Sequence, residues 1–140
     1  MKKIILFSSL LISSPSFATD LHHYDQVKNA VSSGVPIHIV IDFEKCKSSN
    51  TVATQAAITG MYTPEAVLMV GDQLMTSFKH FTLSNPEFAG KAVYEYVKYT
   101  IASDDSVSLT SQVLDVANYR PLADKKTFNC KLDESARIYS

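Results

Sequence analysis

Two cysteines, four histidines, a pair of adjacent aspartates and a cluster of tyrosines are the side chains of this chain with chemistry to offer. Cys46 and Cys130 are the only thiols, and neither has a CxxC partner or a histidine beside it in sequence. A zinc site or a catalytic thiol needs such neighbours, whereas a pair of thiols in an exported protein persists as a disulfide. A bridge closing so long a loop stabilises a fold by up to about 4 kcal/mol in the chain-entropy account. His22 and His23 are adjacent on an expected helix, so their side chains diverge by about 100° and do not share one ion. His38 and His80 lie on different expected strands. No metal ligand set and no cofactor site is therefore assigned.

Asp42, His80 and any of several serines can be written as a hydrolytic triad, but no GxSxG elbow marks an activated serine. The serines sit in turn-like clusters, where their role is local hydrogen bonding. Asp104-Asp105 is one carboxylate pair without the further oxygen ligands that a calcium site requires, and it reads as a turn. Tyr94 and Tyr96 fall on one face of a single strand and Tyr99 on the other. One of those faces belongs to the core, and the other is a candidate recognition surface, since tyrosines combine apolar area with a polar tip. No residue is assigned a catalytic role. Asp42, His80, Tyr94 and Tyr96 remain as functional candidates, and Cys46 with Cys130 as a disulfide.

The elements that position these residues can be read from the periodicity. Leu21, Tyr24, Val27, Ala30 and Val31 recur at helical spacing over 21–33, and Gly34 stops the helix. Beyond Pro36 the period changes to two, with Ile37, Ile39, Ile41 and Phe43 on one face of a strand that runs into Cys46. Residues 47–54 are polar and loop-like. Runs at 55–62 and 66–70 flank Thr63-Pro64-Glu65 and read as a hairpin. Gly71-Asp72 precedes another strand over 73–83. The β-branched and aromatic stretch 91–101, the turn 103–106 and the alternation from Val107 to Val113 make the clearest hairpin. Phe128, Cys130 and Leu132 share a face of the last strand, and the polar residues 133–140 are expected to fray.

One helix followed by about six strands, with no second helix for parallel crossovers, predicts an α+β fold. The N-terminal helix packs on a curled antiparallel sheet, a small half-barrel or barrel, with one disulfide. The first residues carry a different signal: Lys2 and Lys3, an apolar run from Ile4 to Ile12, and small residues at Ser16 and Ala18 form a cleavable export leader. That run is much shorter than the roughly 20 residues that span a bilayer. Cleavage after residue 18 leaves residues 19–140, the size of one domain, with no transmembrane segment. Without the two lysines the 13 basic residues fall to 11 against 14 acidic ones, a net charge near −3. No basic cluster is present, which argues against a nucleic-acid partner. The chain also has too few long strands for an outer-membrane barrel, which needs at least about eight.

The stretch Val40-Ile41-Asp42-Phe43-Glu44-Lys45-Cys46 resembles the VirK-type family of small exported proteins of Gram-negative bacteria. The resemblance continues through Lys79-His80-Phe81-Thr82 and Tyr94-Glu95-Tyr96-Val97-Lys98-Tyr99, and reaches Thr127-Phe128-Asn129-Cys130. It departs at 63–65 and 104–106, where a Pro-Asp-Gly type of turn would be expected. The resemblance implies a single VirK-like domain over 19–140, a periplasmic or secreted location, association with virulence-linked genes and no catalytic mechanism to carry over. The resulting expectation is an exported, disulfide-stabilised interaction or binding protein, its partner an unidentified protein or small apolar ligand. A carrier of an apolar molecule inside the curled sheet, or a hydrolase acting on envelope material, is the alternative.

Overall fold

The computed structural model describes residues 18–48 and 58–140, arranged as two antiparallel sheets and one short helix. Residues 1–17 of the expected leader and most of the expected loop and strand between 49 and 57 lie outside the described residues. In chain order the elements are β1 (Asp20–Leu21), α1 (Tyr24–Ser32), β2 (His38–Asp42), the 3-10 turn η1 (Phe43–Lys45), β3 (Lys47–Ser48), β4 (Thr59–Tyr62), β5 (Leu68–Val70) and β6 (Gln73–Thr82). The 3-10 turn η2 (Pro86–Phe88), β7 (Val93–Ala102), β8 (Ser106–Asp115), β9 (Lys126–Lys131) and β10 (Ala136–Tyr139) complete the list. The smaller sheet has the order β1-β10-β2-β4 and the larger β3-β9-β8-β7-β6-β5.

The fold is mostly β, and three expectations need correction. The strands do not form one curled sheet of six, and neither sheet closes into a barrel, because the described residues distribute ten strands between two separate sheets. The hairpin expected around Thr63-Pro64-Glu65 does not form: β4 pairs with β2 in the small sheet while β5 pairs with β6 in the large one. The connection instead passes from sheet to sheet, fastened where the Thr76 hydroxyl donates to the Ala66 carbonyl at 2.7 Å. The C-terminal residues do not fray either. β10 lies between β1 and β2, with Ala136 and Ile138 fully buried.

Apolar alternation explains the rest. Ile39 and Ile41 of β2 and Ile138 of β10 point inward from the small sheet, and Leu74, Tyr99, Ile101, Val107 and Leu109 point inward from the large one. Tyr24 and Val27 of α1 join the same buried cluster, so one core connects both sheets and the helix. Burial of the Tyr99 ring raises its phenol to about 12, which keeps it neutral inside that core. Cys46 and Cys130 are bonded, with Cα atoms 4.5 Å apart, and tie the residue after η1 to β9.

The helix is shorter than its periodicity suggests, because Leu21 is used in β1 and the first turn begins at Tyr24. Its N-terminus is capped from across the fold: Asp105, at φ 64 in the β7–β8 turn, accepts the Tyr24 N–H at 2.7 Å. His23 Nδ1 meets the same carboxylate at 3.1 Å, while His22 Nδ1 meets Asp133 of the β9–β10 turn at 2.7 Å. The two imidazoles thus diverge to different carboxylates. The hydrogen bond and negative charge of Asp133 raise the His22 pKa above its usual value, with Asp20 adding in the same sense. A raised folded-state value means that the stabilisation is full below the unfolded histidine pKa of about 6.5 and disappears as pH rises through the folded value. We predict that His22→Asn lowers the melting temperature measurably at about pH 5.5 and not at about pH 8. Equal effects at both pH values would refute the contribution of the pair.

Candidate functional site

The two sheets differ in length, and that mismatch creates a cleft. Strands β6, β7 and β8 each have 10 residues, against 5, 4 and 4 for β2, β4 and β10. At about 3.3 Å per residue the long strands run about 33 Å and the short ones at most about 17 Å. The small sheet therefore covers only one part of the large sheet's inner face. Leu74, Ile101, Val107 and Leu109 are covered, whereas Phe78 and Val97 are only partly buried and His80 is exposed.

The uncovered part floors a cleft of about 650 Å³. Phe78, Val97, Tyr99, Leu109, Val113 and Phe128 supply its apolar floor from four neighbouring strands. Phe43, Ile58, Gly60 and Met61 form one wall, and Asn85, Pro86 and Glu87 of the η2 turn form another. The Phe43 ring rests edge-on against Phe128 with centroids 5.2 Å apart. Gly60 makes room for it, since a Cβ there would stand 3.1 Å from Phe43 Cε2. Tyr62 stacks on Phe78 at 4.2 Å, holding β4 over the large sheet.

Polar groups converge at the end of the cleft away from the shared core. His80 and Glu95 are direct partners across β6 and β7 and both line it. The nearly buried Asn85 side chain uses both of its ends, donating to Glu95 Oε1 at 2.6 Å and accepting the Glu87 N–H at 2.9 Å. Lys126 forms an ion pair with Glu87. Ser111, also in the lining, sits on β8, so β7 runs between it and His80. Strand spacing of about 4.8 Å places two such strands roughly 10 Å apart, beyond hydrogen-bond reach of a nucleophile and its base. The cleft does not bring His80 and Ser111 together as a serine triad.

The other candidates fall elsewhere. Asp42 does not line the cleft: its carboxylate pairs with Lys45 at 2.8 Å, and that hydrogen bond keeps it below the usual carboxylate range. Tyr94 and Tyr96 lie on the outer face of the large sheet, opposite Tyr99, which is in the core. There Tyr94 stacks on Tyr119 at 5.5 Å, Phe81 meets it edge-on at 5.8 Å, and the Lys79 ammonium sits 4.6 Å above the Tyr94 ring. Tyr96 borders a second, open groove of about 460 Å³ on that face with Lys98, Gln112 and Lys125. Among the described residues no group of three or more His, Cys, Asp or Glu side chains is placed to hold a metal, and no helix is long and apolar enough to cross a membrane. Of these lining residues His80 is a candidate from sequence, whereas Glu95, Asn85 and Ser111 are not among the candidates. Their signal was parity, because Glu95 lies two residues from Val97, and Ser111 two from both Leu109 and Val113, on a face otherwise apolar.

Architecture and site together define a disulfide-linked, two-sheet β protein with a ligand-sized cleft on its larger sheet. Comparison with known proteins gives that class a family. The family model "VirK protein" matches residues 20–119, and the chain belongs to the VirK family. It is similar to the crystal structure of lpg1832, a VirK family protein from Legionella pneumophila, with a TM-score of 0.79 and 28% identity over 86% of this chain and 98% of that one. A second relative, "Uncharacterized protein y4wH" of Sinorhizobium fredii (strain NBRC 101917 / NGR234), is 22% identical over 146 residues, spanning 100% of this chain and 99% of its own length. A disulfide in a VirK family protein is consistent with an extracytoplasmic location.

Proposed function

We propose that this chain is exported to the periplasm or beyond, loses residues 1–18, and works there as a single-domain, disulfide-stabilised binding protein in a virulence-linked setting. Its ligand is a small, mainly apolar molecule seated in the cleft. The observation that carries this reading is the cleft itself: about 650 Å³ of concave space floored by Phe78, Val97, Tyr99 and Leu109. Binding sites for small molecules are of that order of size, largely apolar, with a few convergent polar groups. The cleft replaces the barrel interior as the place for an apolar ligand. A hydrolase reading has less support, because His80 and Ser111 are on strands that do not touch.

Native mass spectrometry of the protein purified from its own host, without detergent, tests the reading. The expected result is an added small-molecule mass that is absent after denaturation and absent from Ser111→Trp, whose indole would fill the cleft. A clean spectrum of the unmodified chain from every cell fraction would remove the proposal.

The outer face supports a second reading, contact with a protein partner through the stacked Tyr94 and Tyr119 rings and the exposed Tyr96. Exposed aromatic anchors of this kind are enriched at interfaces. Cross-linking in the host, lost on Tyr94→Ala and Tyr96→Ala but kept in Ser111→Trp, would favour the outer face over the cleft.

A further inference from the structure

We propose that Glu95, held by Asn85, is the recognition site for a cationic amine head group on an amphipathic ligand whose apolar tail lies over Phe78 and Tyr99. This deepens the cleft reading and rests on it. Charge is the first argument. Of the ionic groups lining the cleft, Lys126 and Glu87 neutralise each other, leaving Glu95 as a carboxylate with no ion pair among the described residues. An anion beside an apolar floor favours a cationic ligand atom, because the apolar surroundings weaken the screening that water would supply.

Preorganisation is the second argument. Asn85 is 9% exposed, and its amide donates to one Glu95 oxygen while its own carbonyl oxygen is committed to the Glu87 N–H. The amide is thus locked by the η2 turn and fixes the carboxylate in turn, leaving the second oxygen, Oε2, with no hydrogen-bond partner among the described residues. A carboxylate held in this way loses little freedom when a ligand arrives.

His80 is the third. It stands directly across from Glu95, makes no hydrogen bond or ion pair among the described residues, and lines the same cleft. In its neutral form an imidazole offers one acceptor nitrogen, so an ammonium group with three N–H donors can be shared between it and Glu95. The apolar floor begins at Phe78, two residues along β6 and on the same face. A head group on Glu95 and a tail over the aromatic floor then occupy one continuous site.

Three probes of equal chain length separate the head from the tail: decylamine, decanol and decanoate, titrated by calorimetry into the full mature chain below their micelle concentrations. Decylammonium is expected to bind about tenfold tighter than decanol, the scale of one charge-assisted hydrogen bond, and decanoate weaker than either. Glu95→Gln keeps the side-chain shape and should bring decylamine to the level of decanol, abolishing the amine preference. Asn85→Ala, which frees the carboxylate without removing it, should lose part of the amine preference only. Equal affinity of the three probes for the unmodified chain, or an amine preference that survives in Glu95→Gln, would overturn the head-group assignment while the cleft reading stands. Failure of all three probes to bind would overturn the cleft reading itself.

Discussion

Replacing both Cys46 and Cys130 by serine should cost about 4 kcal/mol of unfolding free energy, measured by urea denaturation. The bridge joins residues 84 apart. Closing a loop of that length removes so much freedom from the unfolded chain that the entropic account gives about 4 to 5 kcal/mol, from which residual structure in the unfolded chain subtracts. Domains of this size have net stabilities of about 5 to 15 kcal/mol, so the loss is a large share of the total and the variant should melt far earlier. Reduction of the unmodified chain should reproduce the variant. The consequence extends to the cleft, because Cys46 follows η1, whose Phe43 forms a cleft wall against Phe128 of β9, the strand that carries Cys130. Loss of the covalent tie should therefore weaken ligand binding even at temperatures where the chain remains folded. A loss below about 1 kcal/mol would mean that the packing of the two sheets already holds these strands together without the bridge.

The parts of this fold that could be read from the sequence are those whose burial is decided locally. β2 is one, since Ile37, Ile39 and Ile41 alternate without a break, and all three are buried. The β7–β8 hairpin is another: the turn residues and the two alternating runs agree, and the register from Val93 to Ile101 is continuous. Phe128, Cys130 and Leu132 were placed on one face and are all buried. What failed depended on distant partners. Residues 136–139 offer only Ala136 and Ile138 as apolar positions, and a strand so short gains its burial from lying between β1 and β2. The turn at Thr63-Pro64-Glu65 was recognised as a break, but a turn signal does not say which sheet the chain enters next. The cleft followed the same logic. His80, Glu95 and Ser111 could be placed on the inner face by parity, but that the small sheet stops short of them is a property of two strand lengths compared in space.

The small sheet is the part of the fold most exposed to a single core change, and Ile39→Ala should show it with a loss of about 3 kcal/mol in the same denaturation assay. Ile39 has no solvent-accessible surface and sits on β2, an interior strand of the small sheet, opposite Ile138 of β10 and Tyr62 of β4. Truncation removes the side chain's buried apolar area and leaves a cavity that these flanking strands can fill only by shifting. Such a shift reaches the cleft, since Tyr62 stacks on Phe78 at its floor and Gly60 and Met61 form its wall. Met61→Ala is the matched control on the adjacent strand: the residue is 76% exposed, and loss of its side chain should change stability by no more than about 0.5 kcal/mol. The contrast separates core packing from cleft lining, because Met61→Ala should weaken an apolar ligand without moving the melting temperature, whereas Ile39→Ala should lower both. If Ile39→Ala costs less than about 1 kcal/mol, the four-stranded sheet is not part of the cooperative core, and a cleft wall built on β4 would lack the rigid support that the binding reading requires.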